Sequence, residues 1–329
     1  MEISIIIPAY NCEESIGRCL DSIINQRCDC IGEIIAVNDG SKDGTLGVLR
    51  HYADFEKRIV IIDKENGGVS SARNAGIEKA KCSHIMFVDS DDELKTGFVS
   101  TLISKGKDAG LSVGGIELHR EHGNSDIVHS GVYSALDTVK NYGTNIPTLL
   151  LNGPCAKIFR RDIVLNNSIK FDPAVSLGED TLFVFEYIKH CKSVSFADVP
   201  GYIYYQLGSS SLMTKFNPKN YYTAKYVYQC VLGFASEMNN GEYPENIGKV
   251  YSNVLMHYIR NAVANRKKCS NEHIESIISD YISDPVVRAQ AKKKNGVSIV
   301  QRAVNFLTER RMSESLNLLL TLHVKIRGQ

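Results

Sequence analysis

Short apolar runs rich in Ile and Val alternate with longer stretches of mixed polarity over the first third of the chain. The apolar runs have the length of buried strands, and the stretches between them carry apolar residues at helical spacing. This alternation predicts an α/β fold with a mostly parallel sheet that helices cover on both faces. The predicted strands are residues 3–7, 33–37, 59–62 and 84–88, and the predicted helices are residues 13–25, 45–52, 70–80 and 96–104.

The pattern changes twice farther along the chain. Residues 111–211 mix short predicted strands with helices, which favours an α+β region that extends the sheet, and the pattern becomes helical from residue 220 onward. The sequence therefore predicts an α/β domain in two halves, residues 1–110 and 111–215, followed by a C-terminal helical region, residues 216–329. The helices predicted in that region are residues 221–237, 247–266, 273–282 and 297–322.

Polar, turn-forming residues follow each of the first four predicted strands. Each cluster alone has an ordinary structural explanation as a strand end, a turn or a helix cap. Because parallel strands end at one edge of a sheet, four such clusters in succession favour a shared ligand site at that edge. The clusters are Pro8-Ala9-Tyr10-Asn11, Asn38-Asp39-Gly40-Ser41, Glu65-Asn66-Gly67-Gly68 and Asp89-Ser90-Asp91-Asp92.

Asp89 and Asp91 lie two positions apart at the end of the fourth predicted strand. If the extended conformation continues through them, their carboxylates point to the same side and can face one cation. Carboxylate oxygens suit Mg²⁺ or Mn²⁺, which keep further coordination positions for phosphate oxygens. The alternative is an acidic cap on the next helix, but three aspartates within four residues exceed what a cap requires. We therefore predict a metal site.

Two other clusters have the chemistry of a nucleotide site. Asp39 follows a buried strand and could accept a hydrogen bond from a nucleobase, beside the flat apolar edge of Pro8 and Tyr10. Arg73 lies in the helix that Gly68 opens, whose first N–H groups favour an anionic or polar ligand. A solvated arginine on the face of a helix is the ordinary alternative.

Four segments of the chain resemble, in order, the successive signatures of family 2 glycosyltransferases. The resemblance implies a GT-A type nucleotide-sugar-binding domain whose first half, residues 1–110, binds the nucleotide and whose second half, residues 111–215, binds the acceptor. It also implies Mn²⁺ or Mg²⁺, a UDP-sugar donor, and inverting transfer to a glycan or lipid-linked hydroxyl in surface-polysaccharide synthesis. The four segments are residues 5–11, 37–45, 66–76 and 87–92.

The resemblance also implies roles for individual residues. Asp89 would approach the ribose and the metal, and Asp91 would be the principal protein ligand of the metal. Residues 177–181 resemble an acidic pair ahead of a helix, in which Asp180 would act as general base on the acceptor hydroxyl. The implied lining of the uridine pocket is Pro8, Tyr10, Asp39, Asn66 and Arg73.

Three positions are less certain matches to the family. The family commonly has two aspartates where this chain has Asn38 and Asp39. Lys157 falls where related enzymes often carry a substrate-contacting lysine, although a lysine at a strand edge is the more common case. The family segment near the diphosphate often contains a basic residue, where this chain has Gln206 and the serines at 209–211.

The formal net charge of +1 hides a difference between the two parts of the chain. Residues 215–329 contain 17 Lys and Arg against 9 Asp and Glu, and a dense Leu cluster lies at 316–322. This basic region would suit peripheral contact with an anionic membrane, packing on the catalytic domain or on a second copy in a homo-oligomer, or attraction of an anionic glycan. We predict no nucleic-acid partner, because no base-stacking motif accompanies the basic residues.

No run of the chain reaches the roughly 18 apolar residues that a transmembrane helix needs, so we expect a cytoplasmic protein, with peripheral contact at the inner face of the membrane as an alternative. A nucleotidyltransferase is a second possible enzyme, but no Gly-rich basic loop follows the first strand. A non-catalytic glycan-binding or scaffold protein is the alternative from another class. The joint presence of Asp39, Asp89, Asp91 and Asp180 argues against it.

Overall fold

The computed structural model describes residues 1–26, 28–206, 217–292 and 299–327. The chain divides into two compact units, Met1–Gly208 and Ser209–Gln329. The first unit is a mixed α/β domain with one central sheet, and the described part of the second is helical, so the predicted fold class is confirmed. The predicted boundary between residues 215 and 216 lies among residues 207–216, outside the described part of the chain.

The first half of the α/β unit has the predicted strand–helix order. All seven residues of its first strand are buried, as expected for a parallel strand that is covered on both faces. Its first helix buries Ile16, Cys19, Leu20 and Ile23, the spacing of one helix face. The elements are β1 (Ile3–Ala9), α1 (Ile16–Ile24), β2 (Ile31–Asp39), α2 (Thr45–Phe55), β3 (Ile59–Lys64), α3 (Gly68–Lys79) and β4 (His84–Phe87).

The second half of the unit has shorter and more irregular elements. Several were missed by the sequence analysis, because strands of two to four residues are too short to show an alternating pattern. The elements are β5 (Glu93–Leu94), α4 (Phe98–Lys105), β6 (Leu111–Arg120), β7 (Ser125–Ile127), β8 (Gly131–Ser134), α5 (Ala135–Asn141), α6 (Leu149–Asn152), β9 (Lys157–Arg160), α7 (Arg161–Asn166), α8 (Glu179–His190) and β10 (Ser193–Gln206).

The main path of the sheet has the strand order β3-β2-β1-β4-β9-β6-β10-β5. Strands β3, β2, β1 and β4 are parallel, and β6 pairs in parallel with β10. Strand β9 is antiparallel to both β4 and β6, and β5 is antiparallel to β10. Six of the eight strands on this path therefore run in one direction, and their carboxyl ends form a common edge.

An aromatic cluster fixes the elements beneath that edge. The rings of Phe171 and Phe183 stack at a centroid distance of 4.1 Å, and Phe87 contacts both of them edge to face. Phe159 of β9 packs against Phe87 and Phe183. Burial of each ring stabilises the fold by roughly 1.5–3 kcal/mol. Because Phe87 is the last residue of β4 and Phe183 lies in the first turns of α8, the cluster fixes the starting points of two acidic segments.

The described part of the second unit consists of helices. The single helix predicted over 297–322 is wrong, because the chain turns between α13 and α14, where Arg311 has a φ of 57° and the Met312 N–H donates to the Leu307 carbonyl. No helix of the described residues is long and apolar enough to span a bilayer. The helices are α9 (Asn220–Met238), α10 (Glu245–Ala264), α11 (Asn271–Ser283), α12 (Pro285–Ala291), α13 (Ile299–Glu309) and α14 (Ser313–Arg327).

Candidate active site

The carboxyl end of β2 places Asp39 against the start of α3. Its side chain is almost fully buried and accepts hydrogen bonds from the N–H groups of Gly67 and Gly68, the shortest to each being 3.0 and 2.8 Å. The Asn66 side-chain amide donates to the Asp39 carbonyl at 2.9 Å. Asp39 also pairs with the Lys64 ammonium at 2.6 Å, a partner that sequence analysis missed. The second and third strand-end clusters therefore meet, as the sequence predicted.

Glycine is required at one position of this contact. Gly40 has a φ of +70°, and a Cβ atom added there would lie 2.7 Å from the Asn66 backbone nitrogen. Only glycine adopts this conformation without strain and allows the two loops to approach so closely. Nearby, Pro8 is buried in β1, whereas Tyr10 lies beyond its end and is 48% exposed. Tyr10 thus offers a ring to solvent at the same edge of the sheet.

The contact of Asn38 with Asp63 explains why this chain has an asparagine where the family commonly has an aspartate. The Asn38 side-chain amide is buried and donates to Asp63 Oδ1 of β3 at 2.7 Å. An aspartate in its place would set two carboxylates against each other at neutral pH. The amide therefore suits the acidic residue that this chain carries at position 63.

Asn38→Asp is expected to destabilise the protein by about 1–3 kcal/mol at pH 7, because the variant loses a buried hydrogen bond and gains a repulsion. The Asp63 carboxylate would raise the pKa of the new carboxyl above its unfolded value, so the deficit should appear as the pH rises above about 4 and vanish below it. Thermal unfolding at pH 4 and 7 measures this difference. In the Asp63→Asn background the same change should carry a much smaller deficit; an equal deficit would contradict the explanation.

The Asp89–Asp92 segment is a turn. Strand β4 ends at Phe87, the Val88 N–H makes a last bond to β1, and the Asp92 N–H then donates to the Asp89 carbonyl at 3.1 Å. The expectation that an extended strand carries Asp89 and Asp91 to the same side is therefore wrong. The local backbone closes on itself once the pairing with β1 ends. The turn gathers three carboxylates in a small volume.

Tyr202 of β10, a strand of the same sheet, holds this turn through two hydrogen bonds. Its hydroxyl donates to Asp92 Oδ2 at 2.6 Å and accepts from the Asp89 N–H at 3.2 Å. Burial, with the charges of Asp89 and Asp91, raises the pKa of Asp92 to about 8. Crowding by surrounding atoms and the Asp89 charge also raise the pKa of Asp91, which is solvent-exposed. The turn thus carries more negative charge than its protein partners neutralise.

Arg18 of α1 holds the outer side of the same turn. Its guanidinium donates to the Asp91 carbonyl at 2.8 Å, pairs with Glu93 at 2.8 Å and lies 4.3 Å from the centroid of the Tyr205 ring. Arg18 and Tyr202 could not be predicted from the sequence, because their partners are more than 70 residues away in the chain and no local pattern connects them.

Arg73 connects the turn to the second acidic segment. Its guanidinium pairs with Asp89 at 2.9 Å, approaches Glu179 of α8 at 3.6 Å and lies over the Phe171 ring. Arg73 is buried rather than a solvated helix-face residue. Although burial opposes it, the anions around it, Asp89 foremost, raise the pKa of Arg73. This arginine is therefore a fixed cation between Asp89 and the start of α8.

Asp180 stands in the first turn of α8, beside Glu179. Its Oδ1 accepts the Thr181 N–H at 2.8 Å, and Gly178 enters the helix with a φ of +86°. Burial and the Glu179 charge raise the pKa of Asp180 to about 7, against the opposing effect of Arg73. A carboxylate with this pKa is a better proton acceptor than an ordinary aspartate and is still substantially ionised at neutral pH.

The residue predicted near a diphosphate, Gln206, accepts a hydrogen bond from Arg120 Nε at 2.9 Å. Arg120, at the end of β6, therefore places a cation beside the position where the sequence analysis found none. The serines at 209–211 lie outside the described residues.

The residues predicted to hold a divalent cation are Asp89 and Asp91. Within residues 1–26, 28–206, 217–292 and 299–327, no group of three or more His, Cys, Asp and Glu side chains is arranged to hold a metal ion. Mg²⁺ and Mn²⁺ bound with substrate phosphates need only one or two carboxylates, and the excess negative charge of this turn favours a cation. The residues present therefore fit the predicted metal.

Comparison with known proteins gives concordant results. The family model described as Glycosyl transferase family 2 matches residues 4–166. The Staphylococcus aureus poly(ribitol-phosphate) beta-N-acetylglucosaminyltransferase TarP is 26% identical over 288 residues, which cover 83% of this chain and 85% of TarP. The uncharacterized Bacillus subtilis glycosyltransferase EpsJ is 27% identical over 70% of this chain and 69% of its own length.

Other relatives match over a smaller part of their length. The Streptococcus pneumoniae glycosyltransferase GlyA is 41% identical over 104 residues, which cover 32% of this chain and only 15% of GlyA. Among solved structures, residues 1–349 of S. aureus TarS in complex with UDP-GlcNAc align with a TM-score of 0.74 and 17% identity, covering 100% of this chain and 93% of that chain. This likeness confirms the predicted GT-A type fold.

Proposed function

The chain belongs to glycosyl transferase family 2, and on that premise we propose that it transfers a sugar from a UDP-sugar donor to a hydroxyl acceptor with inversion at the anomeric carbon. One observation carries the proposal: Arg73 joins Asp89 of the turn after β4 to the acidic start of α8 through contacts of 2.9 and 3.6 Å. Groups that can bind the charged diphosphate and groups that can accept a proton therefore lie in one site, although they come from distant segments of the chain. A transfer from a charged donor needs both kinds of group.

We propose that Pro8, Tyr10, Asp39, Asn66 and Arg73 bind the uridine part of the donor. The solved TarS structure of the same fold holds UDP-GlcNAc, which supports a nucleotide-sugar at this edge of the sheet. A uracil N–H that binds Asp39 would compete with the Lys64 ammonium, which already occupies Oδ1 at 2.6 Å. Donor binding would therefore loosen the Lys64 contact.

Asp89 and Asp91 would hold Mn²⁺ or Mg²⁺ together with oxygens of the donor diphosphate. A divalent cation in this place neutralises negative charge that develops on the departing UDP. The turn itself supplies the binding groups, and Arg18 and Tyr202 fix their backbone without occupying the Asp91 carboxylate. Arg73 contributes a permanent positive charge next to Asp89.

Asp180 would act as general base. The acceptor oxygen forms its bond to the anomeric carbon from the face opposite UDP, the bond to the diphosphate oxygen breaks, and its electron pair leaves with UDP. The acceptor proton passes to the Asp180 carboxylate. The pKa of about 7 suits this step, since the carboxylate is available at neutral pH and still binds a proton firmly.

UDP with Mn²⁺ is expected to raise the melting temperature by several degrees, whereas GDP or NAD with Mn²⁺ should leave it nearly unchanged. Ligand at about 100 times its Kd stabilises a protein by roughly 2.7 kcal/mol, which shifts the Tm of a domain this size by several degrees. A thermal-shift screen with and without the cation measures both requirements. Equal shifts with GDP would contradict the uridine assignment, and an unchanged UDP shift after chelation would contradict the metal.

The acceptor is proposed as a hydroxyl of a surface polymer or of a lipid-linked sugar. TarP and a Bacillus spizizenii relative are named poly(ribitol-phosphate) glycosyltransferases, which supports a polymer acceptor. Peripheral membrane contact and self-association through the basic C-terminal unit stay predictions. The exposed side chains of Phe306, Leu318 and Leu322 in α13 and α14 are among the apolar groups that either contact could use.

A further inference from the structure

Lys157 is a fully buried lysine in the middle of the sheet. Its exposed fraction is 0%, although lysine is almost never fully buried unless it is paired. Its ammonium donates to the Cys155 carbonyl at 3.1 Å and makes no ion pair within 4.0 Å among the described residues. An ammonium carries three N–H donors, so this one bond leaves donors available. The expectation of a lysine at a strand edge is therefore wrong, and its burial requires another explanation.

The geometry of β9 directs Lys157 toward the first turn of α8. Phe159 lies two residues farther along the strand, on the same face, and its ring contacts Phe183 and Tyr187 of α8 at 5.5 and 4.9 Å. Lys157 lies two residues before Phe159 on β9. Its position on the strand is therefore displaced from Tyr187 and Phe183 toward the N-terminus of α8, where Asp180 lies.

Two contacts of the segment before β9 place it against the same turn. The Thr181 hydroxyl donates to the Asn152 carbonyl at 2.9 Å. A Cβ atom added at Gly153 would lie 3.6 Å from Asp180 Oδ2. The segment that leads into Lys157 is thus packed beside the Asp180 carboxylate.

Charged side chains from several elements surround Asp180. Glu179 from α8 itself and Asp89 from the turn after β4 are anions, and Arg73 from α3 is a cation. Arg73 is already shared between Asp89 and Glu179. Burial lowers the pKa of Lys157 to about 8, with Cys155 and Asp180 opposing this effect, so the ammonium is still mostly charged at neutral pH.

We propose that Lys157 is a positioning residue for Asp180: its buried ammonium favours the ionised form of the neighbouring carboxylate through space, without itself touching the donor. This inference rests on the proposed function of Asp180 as general base and deepens it. Because Lys157 is buried in β9, its ammonium is little screened by solvent and does not bind the donor diphosphate.

Lys157→Met is expected to move the acidic limb of the kcat/KM profile upward by about 1 pH unit, because a carboxyl that loses a nearby cation holds its proton more tightly. The profile is measured as UDP release from a panel of UDP-sugars with Mn²⁺. Lys157→Arg should keep the limb near its wild-type position, and Lys105→Met, at an exposed lysine, is the matched control. A folded Lys157→Met variant with an unmoved limb, or with only a raised KM, would overturn the proposal.

A second measurement needs no turnover. At pH 8, Lys157→Met should lower the Tm more in the wild-type background than in the Asp180→Asn background, since only the ionised carboxylate loses a partner. Equal changes in both backgrounds would overturn the coupling. Wild-type protein that releases no UDP from any donor would instead refute the proposed function, and the thermal comparison would still decide whether the two side chains interact.

Discussion

Asp180→Asn is expected to reduce turnover of the UDP-sugar donor by about 10²- to 10⁴-fold, the usual contribution of a positioned general base. The amide can still accept the Thr181 N–H but cannot take a proton from the acceptor. UDP binding should persist, because the residues proposed for the nucleotide lie on other segments. The measurement is kcat for UDP release, with the UDP-induced thermal shift as a test of intact donor binding.

Glu179→Gln is the matched control for this prediction. Glu179 lies one residue earlier in α8, and its contact with Arg73 is a longer one of 3.6 Å. We expect a much smaller loss of turnover from this change. If Asp180→Asn turned over the donor within a few fold of wild type, or if the two variants lost activity equally, Asp180 would not be the base.

The pH dependence of the wild-type enzyme follows from the same carboxyl. Because the pKa of Asp180 is raised to about 7, kcat/KM should increase with pH up to about 7 and level off above it. The effect on stability has the opposite sign. An unfolded aspartate has a pKa near 3.9, so stability from protonated Asp180 is lost between about pH 4 and 7. Asp180→Asn should therefore raise the Tm at pH 8 relative to wild type, while it reduces turnover.

Local pattern was sufficient to predict the sheet edge and most of its acidic residues. The strands of the first half are buried on both faces and rich in Ile and Val, and each ends in residues that favour turns. These are properties of consecutive residues, so they are visible before folding. The contact between the Asp39 and Gly67-Gly68 clusters followed from the parallel order of β2 and β3 alone.

The parts that could not be predicted depend on contacts between distant residues. The Asp89–Asp92 turn has its shape because pairing with β1 stops at Phe87, and Tyr202, 110 residues beyond Asp92, then completes it. Lys157 looked like an edge lysine because its strand is four residues long and its neighbours β4 and β6 are remote in sequence. Whether a charged side chain is buried depends on the tertiary structure, so the pattern of apolar and polar residues in the sequence does not predict it.

Asp91→Asn is expected to remove the cation-dependent part of UDP binding and to reduce turnover by about 100-fold or more, as the loss of several kcal/mol of Lewis-acid stabilisation implies. Asparagine retains an oxygen but not the charge that attracts a divalent cation. The turn should keep its shape, because Arg18 binds the carbonyl of residue 91 rather than its side chain. The protein without ligand should be at least as stable as wild type, since partial desolvation by surrounding atoms and the Asp89 charge already raise the pKa of Asp91.

The comparison that decides this prediction is the UDP-induced thermal shift with and without Mn²⁺, measured for wild type and for Asp91→Asn. Wild type should gain stability from UDP mainly when the cation is present, and the variant should show the small cation-independent shift in both conditions. Asp108→Asn, a change at an exposed aspartate away from the turn, is the control for charge alone. A variant that still gains as much from Mn²⁺ as wild type would show that the cation is held elsewhere. Because the Asp91 carboxylate is the exposed anion of the turn, while Asp89 is paired with Arg73 and Asp92 with Tyr202, the structure favours Asp91 as the residue that the cation needs most.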